Sequence, residues 1–459
     1  MQRLSQPSHD IGPAGPGLWL LFALYQLVMH LAFPVIGLFI LWRSRREPLL
    51  RAHFGQRLGL GPVGPRHGVW VFAASLGETR AASPLIARLL DDGHSVCLTC
   101  SSAAGLAEAR RLFGGNPRVQ CRYAPLDLVF PLIIFLARLR PAALLIVELE
   151  FWPGKLMLSG LFGAPVIQVN GNLLDVAFTR RFLGLPNPLL RFAARFSMVL
   201  TKSEAHRRRY VAAGVPAARI HLPGELKFDL PRAPEQIALG ERLRRHWCRG
   251  RPLLFIASSI TGEEAALTAM CQTLMAGAAP PRIIWAPRSP QRFDAVARAL
   301  AGAGLRVARR STLPADPAEG IAADADILLA DSIGEMNIWY QAADLVFVGA
   351  SLVDMGGHNI VEPLALGRPV VMGPSIFGIA FPAVEARDAG ALQPLDDADA
   401  LTGAVAALFA DPAALAAFTG RARAFSAAHL GASDRSHALI RPLIRGHEAA
   451  TAAKDGDSR

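Results

Sequence analysis

The chain has 459 residues, 52% hydrophobic and 19% charged, with a mean hydropathy of +0.30. That is enough for two or three domains with large cores, and it excludes both a largely disordered chain and a disulfide-framed miniprotein. Five cysteines, an odd and low count, point to free thiols in a reducing compartment. The net charge of +11 sits in one half: residues 1–232 hold 27 basic and 13 acidic side chains (+14), and residues 233–459 hold 21 and 24 (−3). Only four of the 48 cations are Lys, so a bias toward Arg explains part of the excess. The contrast between halves points to an anionic partner for the first: membrane lipid, phosphorylated glycolipid or nucleic acid.

The first predicted element is apolar. Leu18 to Trp42 is a run of 25 residues without Asp, Glu, Lys or Arg, about 37 Å as a helix against a hydrocarbon core of ~30 Å. Trp19 and Trp42 bracket it, and Arg43, Arg45, Arg46 and Arg51 follow, with only Arg3 ahead. This pattern predicts a membrane anchor within residues 1–46 and leaves the rest of the chain on the cytoplasmic side. Gln26, His30 and Pro34 inside the run keep a tilted, kinked or interfacial helix open beside a clean span. A cleaved signal peptide fits less well, because the run is longer than an h-region and charges follow at once.

Beyond the anchor one unit repeats: a short apolar run rich in β-branched residues, then a segment of helical period. The runs are Val69–Ala74, Ser95–Cys100, Val119–Tyr123, Leu144–Val147, Val166–Val169 and Met198–Thr201, then Leu253–Ala257, Ile283–Ala286, Val307–Arg310, Ile327–Leu329, Leu345–Val348 and Val370–Met372. Strands this apolar are buried on both faces, which predicts α/β domains with parallel, doubly wound sheets. Two Rossmann-like domains are expected, over 47–230 and 231–445, with a hinge at Phe228–Gln236 where Pro231 and Pro234 disfavour helix and the charge changes sign. The tail, 446–459, reads as polar and frayed. No dinucleotide fingerprint, Walker A loop or fixed-period repeat is present, and by analogy two such sheets without a cofactor loop suggest the glycosyltransferase B architecture.

The residues that bear chemistry cluster after strands. Ala73-Ala74-Ser75-Leu76-Gly77-Glu78 runs from a strand into an Ala-rich helix, and places Glu78 at the carboxyl edge of a parallel sheet, as a general base or as a first-turn Glu complementing the helix dipole, with Ser75 beside it. Val147-Glu148-Leu149-Glu150-Phe151-Trp152-Pro153 puts two carboxylates on one side by alternation. Glu148 and Glu150 either assist Glu78 or form salt bridges with nearby arginines. Lys227 and Asp229, beside the hinge, either meet an anionic sugar or tie the linker down.

In the second half, Ser258-Ser259-Ile260-Thr261-Gly262 turns from strand to helix, and free N–H groups there suit a phosphate. Pro287-Arg288 ends the next strand, with Arg288 able to pair with a phosphate or stack on a base. Then come Gly334-Glu335-Met336 and the run Gly356-Gly357-His358-Asn359-Ile360-Val361-Glu362-Pro363. There two glycines allow close backbone approach, and Asn359 and Glu362, three apart, suit ribose hydroxyls on one helical face. Cys97 and Cys100 have metal-pair spacing but lie inside an apolar strand without a second pair, so no metal site is expected. Arg207-Arg208-Arg209 lacks the aromatic platform of nucleic-acid binding and reads as a helix face turned either to solvent or to a phosphate.

Taken together these runs, with Gly367-Arg368-Pro369-Val370 and Gly373-Pro374, resemble the Kdo transferases, membrane enzymes that move 3-deoxy-D-manno-octulosonic acid (Kdo) from CMP-Kdo to lipid A precursor. The resemblance spans nearly the whole chain. It implies a glycosyltransferase B fold, inversion at the anomeric carbon, no metal or other cofactor, Glu78 as proton acceptor, and CMP contacts at Pro287, Arg288, Gly334, Glu335, Met336 and Asn359 through Glu362. It further implies an anionic glycolipid acceptor, work at the inner-membrane surface and no nucleic-acid partner. The chain departs from the family pattern at Phe72 (usually His), Asn172 (Arg), Glu225 (Asn) and Ser289 (His), and its Ser259-Ile260-Thr261 loop is shorter than the family's Ser-Thr-His loop. The donor half is thus kept better than the acceptor half. The alternatives are a relative with another acceptor, another glycosyltransferase B enzyme, or a membrane scaffold that has lost its activity.

Overall fold

The computed structural model describes residues 11–45, 51–148, 151–173, 181–182 and 185–457. It contains two compact units, Met1–Leu230 with Gly431–Arg459, and Pro231–Leu430.

The first unit begins with helix α1 (Pro16–Arg43). Its sheet then alternates strands and helices: β1 (Val69–Phe72), α2 (Leu76–Asp91), β2 (Val96–Cys100), α3 (Ala103–Phe113), β3 (Val119–Tyr123), α4 (Val129–Leu139), β4 (Ala143–Val147), α5 (Pro153–Leu161), β5 (Val166–Gly171), β6 (Met198–Thr201), α6 (Glu204–Ala212) and β7 (Ile220–His221). All neighbours pair in parallel in the order β3-β2-β1-β4-β5-β6-β7. Alternation sends Val69, Val71 and Ala73 into one core with α2 and α3, and Trp70, Phe72 and Ala74 into the other with α4 and α5. The apolar runs of the sequence are therefore sheet interiors covered on both faces.

The second unit repeats the plan with α7 (Pro234–Leu243), β8 (Leu253–Ser259), α8 (Glu264–Ala276), β9 (Arg282–Pro287), α9 (Phe293–Gly302), β10 (Val307–Arg309), β11 (Ile327–Leu329), α10 (Met336–Ala342), β12 (Leu345–Val348), α11 (Val361–Ala365), β13 (Val370–Met372), α12 (Ala380–Asp388), β14 (Leu392–Pro394), α13 (Ala398–Ala410) and α14 (Pro412–His429). Its strand order is β10-β11-β9-β8-β12-β13-β14, again parallel. The twelve apolar runs all form strands. The strands of the two large sheets that escaped, β7 and β14, are edge strands of two and three residues, too short to show a period.

Two expectations are corrected. Residues 431–445 do not belong with the second unit: helix α15 (Ala432–Asp457) returns to the first, burying Ile440, Leu443 and Ile444 in the core beneath α2. The polar tail after 445 is the end of this helix as far as Asp457, not a frayed segment. The reason is long-range packing, which local composition does not report.

Helix α1, with 28 residues and a mean hydropathy of 2.0 over its best window, is long and apolar enough to cross a membrane. Its first half is seated on the first unit, with Phe22 and Gln26 buried and Leu18, Trp19, Leu21 and Tyr25 against the α4–α5 side of the sheet. Leu31, Val35, Leu38, Phe39 and Trp42 are exposed.

Candidate functional site

The strand order reverses between β1 and β4 in the first sheet, and its central reversal in the second lies between β8 and β12. In doubly wound sheets ligands bind outside the carboxyl ends at such a reversal. Ser75, Glu78 and Glu148 follow the two strands of the first reversal, and Ser258, Ser259 and the run Gly356–Glu362 follow those of the second.

In the first unit Ser75 caps α2, accepting the Glu78 N–H at 3.3 Å, while its hydroxyl donates to Glu78 Oε1 at 3.2 Å and the Ala74 N–H donates to Oε2 at 2.6 Å. This is a capping arrangement shifted by one residue. It holds a half-buried carboxylate in one place through a hydroxyl and a backbone N–H. The register, Phe72 opposite Ile146 and Val147 opposite Val169, brings Ser75, Glu148 and Asn170 to the same edge.

Glu148 and Asn170 both have left-handed backbone, φ 59° and 55°. For residues other than glycine that costs roughly 1–2 kcal/mol each, a strain that collects at functional sites. Glu148 is not a lone base: its Oε1 lies 2.7 Å from Lys227 Nζ, 3.7 Å from Lys202 Nζ and 3.4 Å from Asn170 Nδ2. The expected salt bridge exists, but with lysines and not arginines. Glu150 lies outside the described residues.

Glu225 is buried and accepts from Lys202 Nζ at 2.9 Å, Asn170 Nδ2 at 2.7 Å and the Lys227 N–H at 3.1 Å. Burial alone would raise its pKa, but Lys202 and Lys227 outweigh that and hold it at about 2. Lys227, whose own burial works to lower its pKa, is held above the ordinary lysine value by Glu148, Glu225 and Glu78. Glu78 therefore stands within electrostatic reach of a three-residue extension of charge, Lys227–Glu148–Lys202. Sequence reading missed Lys202 altogether: one Lys after a strand carries no motif.

In the second unit the register Ala257 opposite Val348 sets the Ser258–Gly262 turn beside Gly349–Ser351. Ser258 and Ala350 are again left-handed, φ 58° and 60°. Of the N–H groups expected to be open at this turn, that of Ile260 is taken within the chain. Glu263, buried, accepts from the N–H groups of Ile260, Ala350, Ser351 and Leu352 at 2.8–3.0 Å, so the chain's own carboxylate occupies the anion seat. Ser259 is fully buried with its hydroxyl on Trp285 Nε1 at 2.7 Å and cannot touch a ligand by its side chain.

The glycine turn is likewise committed: Gly356 N–H donates to Ser375 Oγ at 2.9 Å and Gly357 N–H to the Ala350 carbonyl at 2.8 Å. Arg288, exposed after the buried Pro287, is the cation of this edge that the turn expectations leave standing. Asn359 and Glu362 are exposed and 3.4 Å apart, although Asn359 precedes α11, where its Oδ1 accepts the Val361 N–H at 3.0 Å. Ile360 and Val361 are buried and offer only backbone.

Arg288 lies near enough to His358 and Tyr340 to act on both: burial lowers the His358 pKa and Arg288 lowers it further, against a smaller opposing pull from Glu263. Gly334 is exposed with φ 87°, Met336 opens α10, and the Glu335 carboxylate is taken by Arg310 at 2.8 Å. The side chain of Glu335 is thus a support for the loop. Cys97 and Cys100 face opposite cores of the first sheet, each thiol pushed to about 12 by burial, so they cannot converge on one ion.

A family model described as 3-Deoxy-D-manno-octulosonic-acid transferase (kdotransferase) matches residues 52–230. The 3-deoxy-D-manno-octulosonic acid transferase of Bordetella pertussis is 37% identical over 425 residues, 90% of this chain and 97% of that protein. The transferase of the same name from Haemophilus influenzae is 31% identical over 404 residues, 85% and 91%. Among solved structures, a UDP-GlcNAc 2-epimerase from Neisseria meningitidis bound to UDP-GlcNAc superposes with a TM-score of 0.55 at 12% identity, over 83% of this chain and 100% of that one, a likeness of glycosyltransferase B fold alone. With identity of this order running the length of its relatives, the chain belongs to the 3-deoxy-D-manno-octulosonic acid transferase family of glycosyltransferases.

Proposed function

We propose that the chain transfers Kdo from CMP-Kdo to a lipid A precursor at the cytoplasmic face of the inner membrane, with inversion and with Glu78 as general base. Glu78 takes the proton of an acceptor sugar hydroxyl as that oxygen forms its bond to the Kdo anomeric carbon, and the bond from that carbon to the CMP phosphate oxygen breaks. No covalent intermediate is needed. The second unit holds the nucleotide: Asn359 and Glu362 toward ribose hydroxyls, backbone at Gly334 to Met336 and at Ile360 and Val361 beside it, and Arg288 on the departing phosphate.

With the N–H groups of Ile260, Gly356 and Gly357 committed within the chain, the phosphate depends on Arg288 more than the sequence suggested. Lys227 and Lys202, paired with Glu148 and Glu225, form the polar floor against which an anionic acceptor or the Kdo carboxylate would lie.

The observation that carries this reading is the seat of Glu78: a fixed carboxylate at the strand reversal, held by Ala74 N–H and Ser75 hydroxyl. The test is CMP release from CMP-Kdo with tetraacylated lipid A precursor. Glu78→Gln should cut the rate by about a hundredfold or more, with the KM for CMP-Kdo little changed. An unchanged rate removes Glu78 from this role.

A further inference from the structure

Tyr25 and Gln26 lie within the apolar run of α1, yet both make polar contacts with the first unit. Tyr25 Oη donates to Asp127 Oδ2 at 3.0 Å, Gln26 Nε2 donates to the Asp127 carbonyl at 3.0 Å, and the Val129 N–H donates to Gln26 Oε1 at 3.2 Å. Asp127 is itself fully buried. Its carboxylate accepts the Gly154 N–H at 2.6 Å, the Lys155 N–H at 2.9 Å and Lys155 Nζ at 3.4 Å. It thus caps the start of α5 while holding α1. Gly154 is required by the closeness: a Cβ there would stand 2.7 Å from Asp127 Oδ2.

Lys155 Nζ in turn lies 4.5 Å from the ring centre of Phe72, at the end of β1, and 4.8 Å from that of Trp152. An unbroken line of contacts therefore runs from α1 through Asp127 to the first turn of α5 and on to the end of β1. A helix serving only as a tether needs no hydroxyl or amide at this depth, and each buried polar group in it requires a partner.

We propose that Asp127 is a positioning residue that couples α1 to the first turn of α5 and, through Lys155, to Phe72 at the end of β1, so that the seating of the membrane helix sets the acceptor side of the candidate site. The proposal deepens the function proposed above and rests on its acceptor assignment. The α1 residues that face away, Leu20, Leu24, Leu27, Val28 and Leu31, together with Phe130 of α4, whose ring meets His30, are exposed and apolar and would lie toward lipid.

The test uses the full chain in lipid nanodiscs. Tyr25→Phe keeps the ring and removes the one hydroxyl. It should speed hydrogen exchange of the Gly154 and Lys155 amides by about fivefold, a readout that needs no activity. In the transfer assay it should raise the KM for tetraacylated lipid A precursor about threefold or more, leaving the KM for CMP-Kdo unchanged and the protein still bound to the nanodisc. Asp127→Asn should do the same more strongly, and the two substitutions together should be no worse than Asp127→Asn alone. Unchanged exchange at Gly154 and Lys155 in Tyr25→Phe, or effects that simply multiply in the double variant, would overturn the coupling. A wild-type chain that transfers no Kdo would instead defeat the activity reading, with the exchange result still deciding the coupling.

Discussion

Glu225 stands where the resembled family usually has Asn, and in this chain it neutralises a buried ammonium, Lys202, that is only 5% exposed. Its folded pKa of about 2 lies below the ordinary 4.5, so the unfolded chain binds the proton more tightly. The stabilisation it gives is therefore complete above about pH 4.5, falls away as pH drops from 4.5 toward 2, and is gone below that. Glu225→Gln should cost about 3 kcal/mol at neutral pH, because it leaves Lys202 with a single carboxylate, Glu148, at a longer distance. Thermal melts from pH 7 to pH 3 check both statements: the gap in Tm between wild type and variant should be largest at neutral pH and narrow below pH 4.5. A gap that widens on acidification would contradict the ion-pair assignment. Of this cluster, Glu148 was legible as a carboxylate at the end of an apolar run and Lys227 as a cation beside the proline hinge. Lys202 and Asn170 were not, since their importance comes from register between β4, β5 and β6 and from a left-handed backbone, neither of which a single sequence displays.

At the scale of elements, the turn from β12 to α11 stands out in the sequence as a candidate site. The Gly-Gly pair suggested open backbone for a ligand. In the structure Gly356 has φ 83° and packs against backbone: a Cβ would come within 2.8 Å of the Gly378 nitrogen and 2.9 Å of the Phe377 ring. Neither the conformation nor the contact can relax cheaply, because the obstructing atom is main chain. Gly356→Ala should therefore destabilise the second unit by about 2 kcal/mol or more, and should weaken CMP binding by about tenfold as the Asn359 end of the turn shifts. Calorimetric titration with CMP measures the second effect and a melt the first. A variant with wild-type affinity would mean that the turn has slack and does not position Asn359. The same comparison explains why strands were readable and their connections were not. A buried strand announces itself by four or five consecutive apolar residues, whereas Glu263 folds back on four N–H groups from two separate turns, a contact spanning nearly ninety residues.

On the scale of the whole molecule, the chain leaves the first unit at Leu230 and comes back to it at Gly431. The return is fastened at its first turn, where Asp229 accepts the N–H groups of Gly431 and Ser433, each at 2.6 Å, and along its length, where Asp92 meets His437 at 3.1 Å and Arg441 at 3.0 Å. Those surface pairs add little. The apolar side of α15 adds much more: fully burying Ile440, Leu443 and Ile444 is worth about 6 kcal/mol at ~2 kcal/mol each, comparable to the net stability of a whole domain. A chain ending at Leu430 should consequently lose the folding transition of the first unit while keeping that of residues 231–430, whose core around β8, β9 and β12 contains nothing from α15. Differential scanning calorimetry with and without CMP separates the two. The transition that remains should rise with CMP, and the one that vanishes should not depend on it in the intact chain. Two transitions surviving in the shortened chain would show that the first unit's core closes without α15, and that this unit is a domain in its own right before the rest of the chain has returned to it.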